Sequence, residues 1–222
     1  MEHLLYPKSP VRVIITGKSN CGKTSLLLKI LLNIIANRVS QIEEKCVKGF
    51  DKLFIYSPTI HQENYKNLIQ MFEPVVSAYP NIDELKNPEE YDNDYKNVII
   101  LDDLSEKELK DNRVQMLFKR GRHNNIDVFV ICHDFYELPK RSIRENASII
   151  HHFITNNLYN VQAIYQQLAS TDMKIKEFKT LCDDIWSKDY QFLTIDSTKK
   201  KNTGKYRLNL KTLYIPETNP FE

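Results

Sequence analysis

Residues 17–24 read Gly17-Lys18-Ser19-Asn20-Cys21-Gly22-Lys23-Thr24 and match the phosphate-binding P-loop pattern G-x-x-x-x-G-K-[ST] at every position. The apolar stretch 11–16 (VRVIIT) before them predicts a buried strand, and 25–36 (SLLLKILLNIIA) after them predicts a helix. A glycine-rich turn between a strand and a helix is the setting in which this pattern binds phosphate. These residues, together with Ser25, are therefore candidate nucleotide-binding residues.

The P-loop pattern also assigns chemistry to two side chains. Backbone N–H groups of the turn and the positive end of the following helix are expected to surround phosphate oxygens. Lys23 would reach the β and γ phosphates of a nucleotide, and the Thr24 hydroxyl would bind Mg²⁺. The sequence therefore predicts a site for the Mg²⁺ complex of a nucleoside triphosphate.

Residues 97–104 (NVIILDDL) form a second motif, in which continuous apolar residues precede paired carboxylates, a Walker B pattern. Such a run predicts a fully buried parallel strand, and in a P-loop fold that strand lies beside the first one. Asp102 is then expected to bind Mg²⁺ through water, and Asp103 to orient or deprotonate the attacking water. The alternative is an Asp-Asp pair that only caps the following helix. The P-loop upstream favours the catalytic interpretation.

The rest of the chain predicts an α/β fold of the P-loop NTPase (RecA/ASCE-like) class, with a central, mainly parallel sheet flanked by helices and a C-terminal β-hairpin. Strands are expected at 52–56, 75–79, 127–132 and 148–154, helices at 61–72, 105–120, 157–168 and 174–186, and the hairpin at 191–196 and 206–210. His133 follows a predicted strand, at the edge where α/β sheets bind ligands, and is a candidate phosphate sensor. His151 and His152 would point to opposite faces of their strand, so no shared metal site is expected.

Length and composition set the broad class. A chain of 222 residues suits one α/β domain, so a single domain over 1–222 is predicted. The net charge of +2, from 31 basic and 29 acidic residues, argues against bulk attraction to nucleic acid and leaves only local patches. No signal peptide is expected at 1–10 and no membrane span at 26–35. The cysteines are widely spaced, as is typical of a reducing compartment; they are Cys21, Cys46, Cys132 and Cys182.

Several blocks of the chain, taken in order, carry a family resemblance. They are GKSNCGKTS (17–25), FIYSPT (54–59), NVIILDDLS (97–105), LFKRGRHNNIDVFVICHDFYELPKRSIRENAS (117–148) and IIHHF (149–153). They resemble the genome-packaging ATPases of large double-stranded DNA viruses, of the poxvirus and virophage type, a branch of the FtsK/HerA superfamily of DNA pumps. The resemblance implies an ATPase core over about 10–155, C-terminal helices and a hairpin over 156–215, and a tail over 216–222.

The family resemblance implies ATP hydrolysis between the subunits of a ring, with an arginine acting on the neighbouring subunit's nucleotide. Arg122 matches the position of that arginine, and Arg144 is the second choice. A planar, permanently charged guanidinium suits the task of neutralising charge on the γ phosphate. The chain departs from the superfamily in having His133 where many members have glutamine, which would make the step sensitive to pH. It also has Asp103 where many have glutamate.

The partners that the resemblance implies are double-stranded DNA, further copies of the chain in a ring of five or six, and proteins of the capsid or portal vertex. It also implies a place in the host cytoplasm, where viral factories assemble, and leaves presence in the virion open. Basic loops are candidate DNA contacts: Lys199, Lys200, Lys201 and Lys205 in the hairpin, or Lys140 and Arg141. Arg120 and Arg141 are expected to be surface or DNA-facing charges.

Three other functions compete with a DNA pump. A GTPase switch is disfavoured because the chain has no N-K-x-D motif for guanine. A nucleoside or nucleotide kinase would use Arg141 and Arg144 as lid arginines, but the pair Asp102 and Asp103 fits activation of water better than a hydroxyl acceptor. A nucleotide-binding assembly factor without catalysis would not need Lys23 together with both carboxylates.

Overall fold

The computed structural model describes residues 10–40 and 50–220, and its fold is α/β with a large, mainly parallel sheet flanked by helices, as the sequence predicts. The helices are α1 (Lys23–Ser40), α2 (Glu63–Phe72), α3 (Glu106–Leu109), α4 (Asn112–Arg120), α5 (Leu158–Ile164) and α6 (Ile175–Trp186). The strands are β1 (Arg12–Thr16), β2 (Lys52–Tyr56), β3 (Val76–Tyr79), β4 (Asn97–Asp102), β5 (Ile126–Cys132), β6 (Ile149–Phe153), β7 (Phe192–Asp196), β8 (Tyr206–Leu208) and β9 (Thr212–Tyr214).

The described residues divide into two compact units. The first unit holds 13–23 and 132–220, and the second unit holds 10–12, 24–40 and 50–131. The boundary therefore crosses β1 after Arg12 and α1 after Lys23. Compactness of the units does not test whether they fold together, so the single domain stays a prediction.

The first unit contains residues 17–23 of the P-loop and the antiparallel part of the sheet. β1 pairs with β6 in parallel, and β6, β7, β8 and β9 follow in antiparallel order. β6 and β7 are buried along their whole length. His151 of β6 makes a hydrogen bond of 2.9 Å with the Thr194 hydroxyl, whereas the ring of His152 packs edge-on against Trp186. Burial lowers the pKa of each histidine to about 3, and for His151 the charge of Arg207 adds to the effect. Both are therefore neutral core residues.

The second unit contains four parallel strands in the order β3, β2, β4, β5. β4 is buried at every position, as expected for a continuous apolar run between helices on both faces of a parallel sheet. α2 and α4 are amphipathic and bury one face each, with Tyr65, Leu68 and Phe72 on α2 and Val114, Leu117 and Phe118 on α4.

Four features differ from the sequence prediction. The strand at 97–104 was expected beside β1, but β4 pairs with β2 on one side and with β5 on the other, so the prediction of its neighbour was wrong. The helix predicted over 105–120 begins with the expected capping box of Ser105 and Glu108 but is two helices, because the Asp111 carboxylate accepts from the Arg113 N–H at 2.8 Å and caps a new helix. The helix predicted over 157–168 ends as α5 at Ile164 and continues as a π-helical segment, Tyr165–Ala169. β9 extends the predicted hairpin by a third strand whose residues are mostly exposed.

None of the helices within 10–40 and 50–220 is long and apolar enough to span a membrane. The expectations for the N-terminal residues 1–9, for Cys46 and for the end of the tail, 221–222, lie outside the described residues.

Candidate functional site

The backbone of the P-loop requires glycine at both glycine positions. Gly17 has φ +151°, and a Cβ atom there would lie only 2.6 Å from Phe153 Cβ and 3.1 Å from Cys21 Sγ. Gly22 has φ +101°, a left-handed conformation that L side chains rarely adopt. The Lys18 N–H donates to the Ile154 carbonyl at 2.9 Å and ties the loop to the chain beyond β6. The loop is therefore held in a fixed shape by its own unit.

Lys23 is the buried cation of this loop, with 9% of its surface exposed. Its ammonium donates to the carbonyl oxygens of Gly17 at 2.8 Å and Lys18 at 2.9 Å. His133 Nδ1 lies 3.5 Å from the same nitrogen, and the His133 carbonyl accepts from the Thr16 hydroxyl at 3.2 Å. The sequence predicts that both Lys23 and His133 lie near the phosphates of the nucleotide, and the structure brings these two side chains together.

A cleft of about 640 Å³ opens beside the P-loop, within the first unit. It is lined by Lys18, Ser19, His133, Asp134, Thr155, Asn156, Asn157, Leu158 and Tyr159. One wall is rigid, because the Asp134 carboxylate accepts from the Asn157 amide at 2.9 Å and from the buried Asn160 amide at 2.6 Å. The cleft therefore places Lys18 and Ser19 of the P-loop beside His133 and a fixed polar wall.

Asp102 ends β4 in the second unit and is 8% exposed. Its Oδ2 accepts a hydrogen bond from the hydroxyl of Tyr65, a residue of α2 that is 2% exposed. Burial and the neighbouring Asp102 carboxylate raise the pKa of Tyr65, so its hydroxyl remains a donor. The sequence analysis missed this role, because Tyr65 fits the apolar periodicity of its helix and only the fold shows what its hydroxyl meets.

Asp103 follows Asp102 and has a strained backbone. Its φ is +55°, and its N–H donates to the Ile131 carbonyl at 3.2 Å. A residue other than glycine in this left-handed region costs of order 1 kcal/mol and persists where the surroundings impose it, often at functional sites. Asp103 is exposed and lies one residue beyond the end of β4.

The donor atoms named for Mg²⁺ are the Thr24 hydroxyl and the Asp102 carboxylate. Mg²⁺ prefers oxygen ligands and is commonly held by one or two carboxylates together with substrate phosphates. The Asp102 carboxylate is oriented by Tyr65, as a metal-binding carboxylate usually is by a second hydrogen bond. The chemistry of these residues therefore fits Mg²⁺.

The two candidate trans-acting arginines have different surroundings. Arg122 lies in a 3-10 turn, Gly121–Asn124, directly after α4, and is exposed, with its Nε donating to His123 Nε2 at 3.3 Å. Arg144 is half-buried, with its guanidinium 5.3 Å from the ring centre of Phe135 and 5.8 Å from that of Tyr136. Burial lowers the pKa of Arg144. Arg122 is thus the more accessible of the two.

Tyr65→Phe is predicted to lower the affinity for Mg²⁺ while leaving the fold intact. The variant removes the hydrogen bond that Tyr65 of α2 donates to Asp102 Oδ2, and loss of such a partner typically costs roughly tenfold or more in metal affinity. The measurement is the Mg²⁺ concentration that gives half-maximal hydrolysis. Tyr56→Phe is the matched control, since Tyr56 is equally buried but its hydroxyl meets Tyr91 and the Glu84 carbonyl. Equal Mg²⁺ requirements in both variants would contradict the role of Tyr65.

Comparison with known proteins places the chain in a family. The sequence pattern described as "Poxvirus A32 protein" matches residues 2–203, nearly the whole chain. The chain belongs to the poxvirus A32 protein family. Membership in the A32 family confirms the resemblance to poxvirus-type packaging ATPases, and with it the prediction of an ATPase. A comparison with curated proteins found no match.

Solved structures with the same fold support the P-loop NTPase assignment. The genome packaging NTPase B204 from Sulfolobus turreted icosahedral virus 2, in complex with AMPPCP, is 15% identical with a TM-score of 0.61, covering 92% of this chain and 98% of that chain. Its sulfate complex is 16% identical with a TM-score of 0.61, covering 94% and 100%. The cytoplasmic domain of EssC is 13% identical with a TM-score of 0.50, covering 69% of this chain and 33% of that chain. At these identities the likeness is one of fold.

Proposed function

We propose that this A32-family protein is an ATP-driven motor that moves double-stranded viral DNA into a preformed capsid. It acts as a ring of five or six copies in the host cytoplasm, at the vertex where capsid or portal proteins receive the genome. The match to the A32 family over 2–203 carries the proposal, together with both nucleotide-binding motifs on the matched residues. The B204 structures, named as a genome packaging NTPase with bound AMPPCP or ATP-gammaS, support it by fold.

The proposed chemistry divides between the two motifs. Lys23 exchanges its hydrogen bonds to the Gly17 and Lys18 carbonyls for the β and γ phosphate oxygens of ATP. His133, beside the Lys23 ammonium, contacts the γ phosphate. Asp103 orients the attacking water and accepts its proton. Arg122 of the neighbouring copy neutralises charge on the transferred phosphoryl group.

Thr24 and Asp102 are the residues that hold Mg²⁺ in this proposal, with Tyr65 fixing the carboxylate. Bound Mg²⁺ supplies neutralisation of the charge that develops on the β and γ phosphates. The remaining P-loop residues, Ser19, Asn20, Cys21 and Ser25, contribute backbone N–H groups to the phosphates.

The proposal is tested by ATP hydrolysis of the purified protein with and without double-stranded DNA, while light scattering reports its assembly state. A motor is expected to hydrolyse ATP faster with DNA and to form particles of ring size. Hydrolysis by a monomer that is indifferent to DNA would contradict the motor. Phosphate transfer to an added nucleoside, in place of hydrolysis, would favour the kinase.

The structure separates the lysines of the hairpin tip into two groups. Lys205 pairs with the Asp172 carboxylate at 2.5 Å, and Lys201 donates to the Asp172 carbonyl at 3.3 Å, so both stabilise the tip. Lys199 and Lys200 are exposed. We therefore propose Lys199 and Lys200, rather than all four lysines, as the DNA contacts of this loop.

Reversing both charges, with Lys199→Glu and Lys200→Glu, is predicted to reduce DNA stimulation and leave basal ATP hydrolysis unchanged. Each lost phosphate contact lowers the salt dependence of DNA binding by about one unit of slope, and reversal adds repulsion. The measurement is the hydrolysis rate against DNA concentration at several salt concentrations. Lys176→Glu, an exposed reversal on α6, is the control. Loss of basal hydrolysis in the double variant would contradict a DNA-contacting role. The same experiment on the exposed Lys140 and Arg141 tests the second loop.

A further inference from the structure

Tyr190 is an exposed aromatic residue in an unusual conformation. It lies in the turn between α6 and β7, and 69% of its surface is exposed. Its φ is +61°, in the left-handed region that bulky residues rarely occupy. Such strain persists only where surrounding structure imposes it, and it is concentrated at ligand-binding and catalytic positions.

The chain just after Tyr190 is fixed by Asn209, which follows β8. The Phe192 N–H donates to Asn209 Oδ1 at 3.2 Å, and the Asn209 N–H donates back to the Phe192 carbonyl at 2.8 Å. The Asn209 amide also donates to Gln191 Oε1. These bonds hold the residues next to Tyr190, so the ring projects from a rigid base.

The ring of Tyr190 lies against one end of the P-loop. A Cβ atom on Gly22 would be 3.4 Å from Tyr190 Cδ1 and 3.8 Å from Tyr190 Cβ, with Phe153 Cε1 behind at 3.6 Å. The other end of the loop, at Lys18 and Ser19, lines the cleft with His133, whereas Tyr190 is not among the residues of that cleft.

We propose that Tyr190 is the platform on which the nucleobase of the bound nucleotide stacks. This inference rests on the proposed function, which puts the γ phosphate beside His133 and Lys23. The base of a nucleotide lies at the far end of its triphosphate, and Tyr190 lies against Gly22 without lining the cleft that holds His133. The exposed ring offers a flat apolar surface there, and aromatic stacking accepts any base because every base has a π face.

Binding of ATP, GTP and inorganic tripolyphosphate to the full chain tests the platform by titration calorimetry. Tyr190→Ala is expected to lower the affinity for ATP and for GTP about tenfold each, which is in the lower part of the range for loss of one base-aromatic stack. Tripolyphosphate has no base, so its affinity is expected to be unchanged. Tyr190→Phe keeps the ring and is expected to bind all three ligands like the wild type.

Tyr190→Gly separates binding from folding, because glycine adopts positive φ without strain. It is expected to unfold near the wild-type temperature, because relief of the strain offsets the extra freedom that glycine gives the unfolded chain, while losing the same tenfold in ATP affinity. An equal loss of affinity for ATP and for tripolyphosphate in Tyr190→Ala would overturn the proposal, since the ring would then support the shape of the P-loop and not the base. If Tyr159→Ala lowered the affinity for ATP and Tyr190→Ala did not, the proposal would be overturned, and Tyr159 in the cleft would be the residue that stacks on the base. Failure of the wild type to bind any of the three ligands would instead refute the proposed function.

Discussion

Lys23→Ala is expected to lower the rate of ATP hydrolysis by about a hundredfold to a thousandfold, the cost of removing one preorganised charge contact from a phosphoryl-transfer site. The Lys23 ammonium now bridges the Gly17 and Lys18 carbonyls and lies 3.5 Å from His133 Nδ1. Alanine leaves neither a cation for the γ phosphate nor a donor for the two carbonyls. The measurement is the steady-state rate of phosphate release at saturating ATP and Mg²⁺.

Lys176→Ala is the control for the Lys23 variant, since Lys176 is an exposed lysine of the same unit on α6. It is expected to hydrolyse ATP at the wild-type rate. Thermal unfolding of both variants shows whether either change affects the fold. A folded Lys23→Ala variant that hydrolyses ATP at the wild-type rate would refute the role of the P-loop lysine.

Arg122→Ala is expected to abolish hydrolysis while leaving ATP binding intact, because an arginine supplied in trans acts on the transition state of the neighbouring copy. Such arginines contribute about 10³-fold or more to the rate. Arg122 is exposed in the turn after α4, and its Nε donates to His123 Nε2 at 3.3 Å. It is therefore accessible to a second copy of the chain. The measurement is the hydrolysis rate together with the dissociation constant for ATP.

Mixing experiments show whether Arg122 acts in trans. Wild-type protein is doped with increasing fractions of Arg122→Ala, and the activity per wild-type subunit is expected to fall as mixed rings form. Arg120→Ala is the matched control, since Arg120 lies two residues away and forms an exposed pair with Glu89 at 3.6 Å. Full activity of the wild-type subunits in every mixture would contradict the trans assignment.

Elements built on strong local patterns were predictable from the sequence. The run at 97–104 predicted a buried parallel strand because such strands need apolar residues on both faces, and β4 is buried throughout. The capping box at Ser105 and Glu108 also formed as predicted. The break within 105–120 was not predicted, although Leu109 and Val114 lie five residues apart, off the helical spacing of three or four. A single carboxylate at Asp111 starts the new helix there.

Weakly patterned elements and tertiary contacts were beyond the reach of the sequence. β9 buries little of its surface, so it has no hydrophobic alternation to detect. The P-loop and the Asp102-Asp103 pair could be named from spacing alone, because their chemistry constrains residue types locally. The roles of Tyr65 and Tyr190 could not be predicted from spacing. In the sequence Tyr65 fits an apolar helix position and Tyr190 fits a turn, and only the fold brings Tyr65 to Asp102 and Tyr190 to Gly22.

Displacement of a triplex-forming strand from linear duplex DNA shows whether ATP hydrolysis moves the protein along DNA, as proposed. We expect the strand to be released when ATP is added, and its release to slow as the duplex between the entry end and the triplex lengthens. Lys23→Ala protein is predicted to release none. Rapid ATP hydrolysis in the presence of DNA, with the third strand still bound at every distance, would contradict a translocating motor.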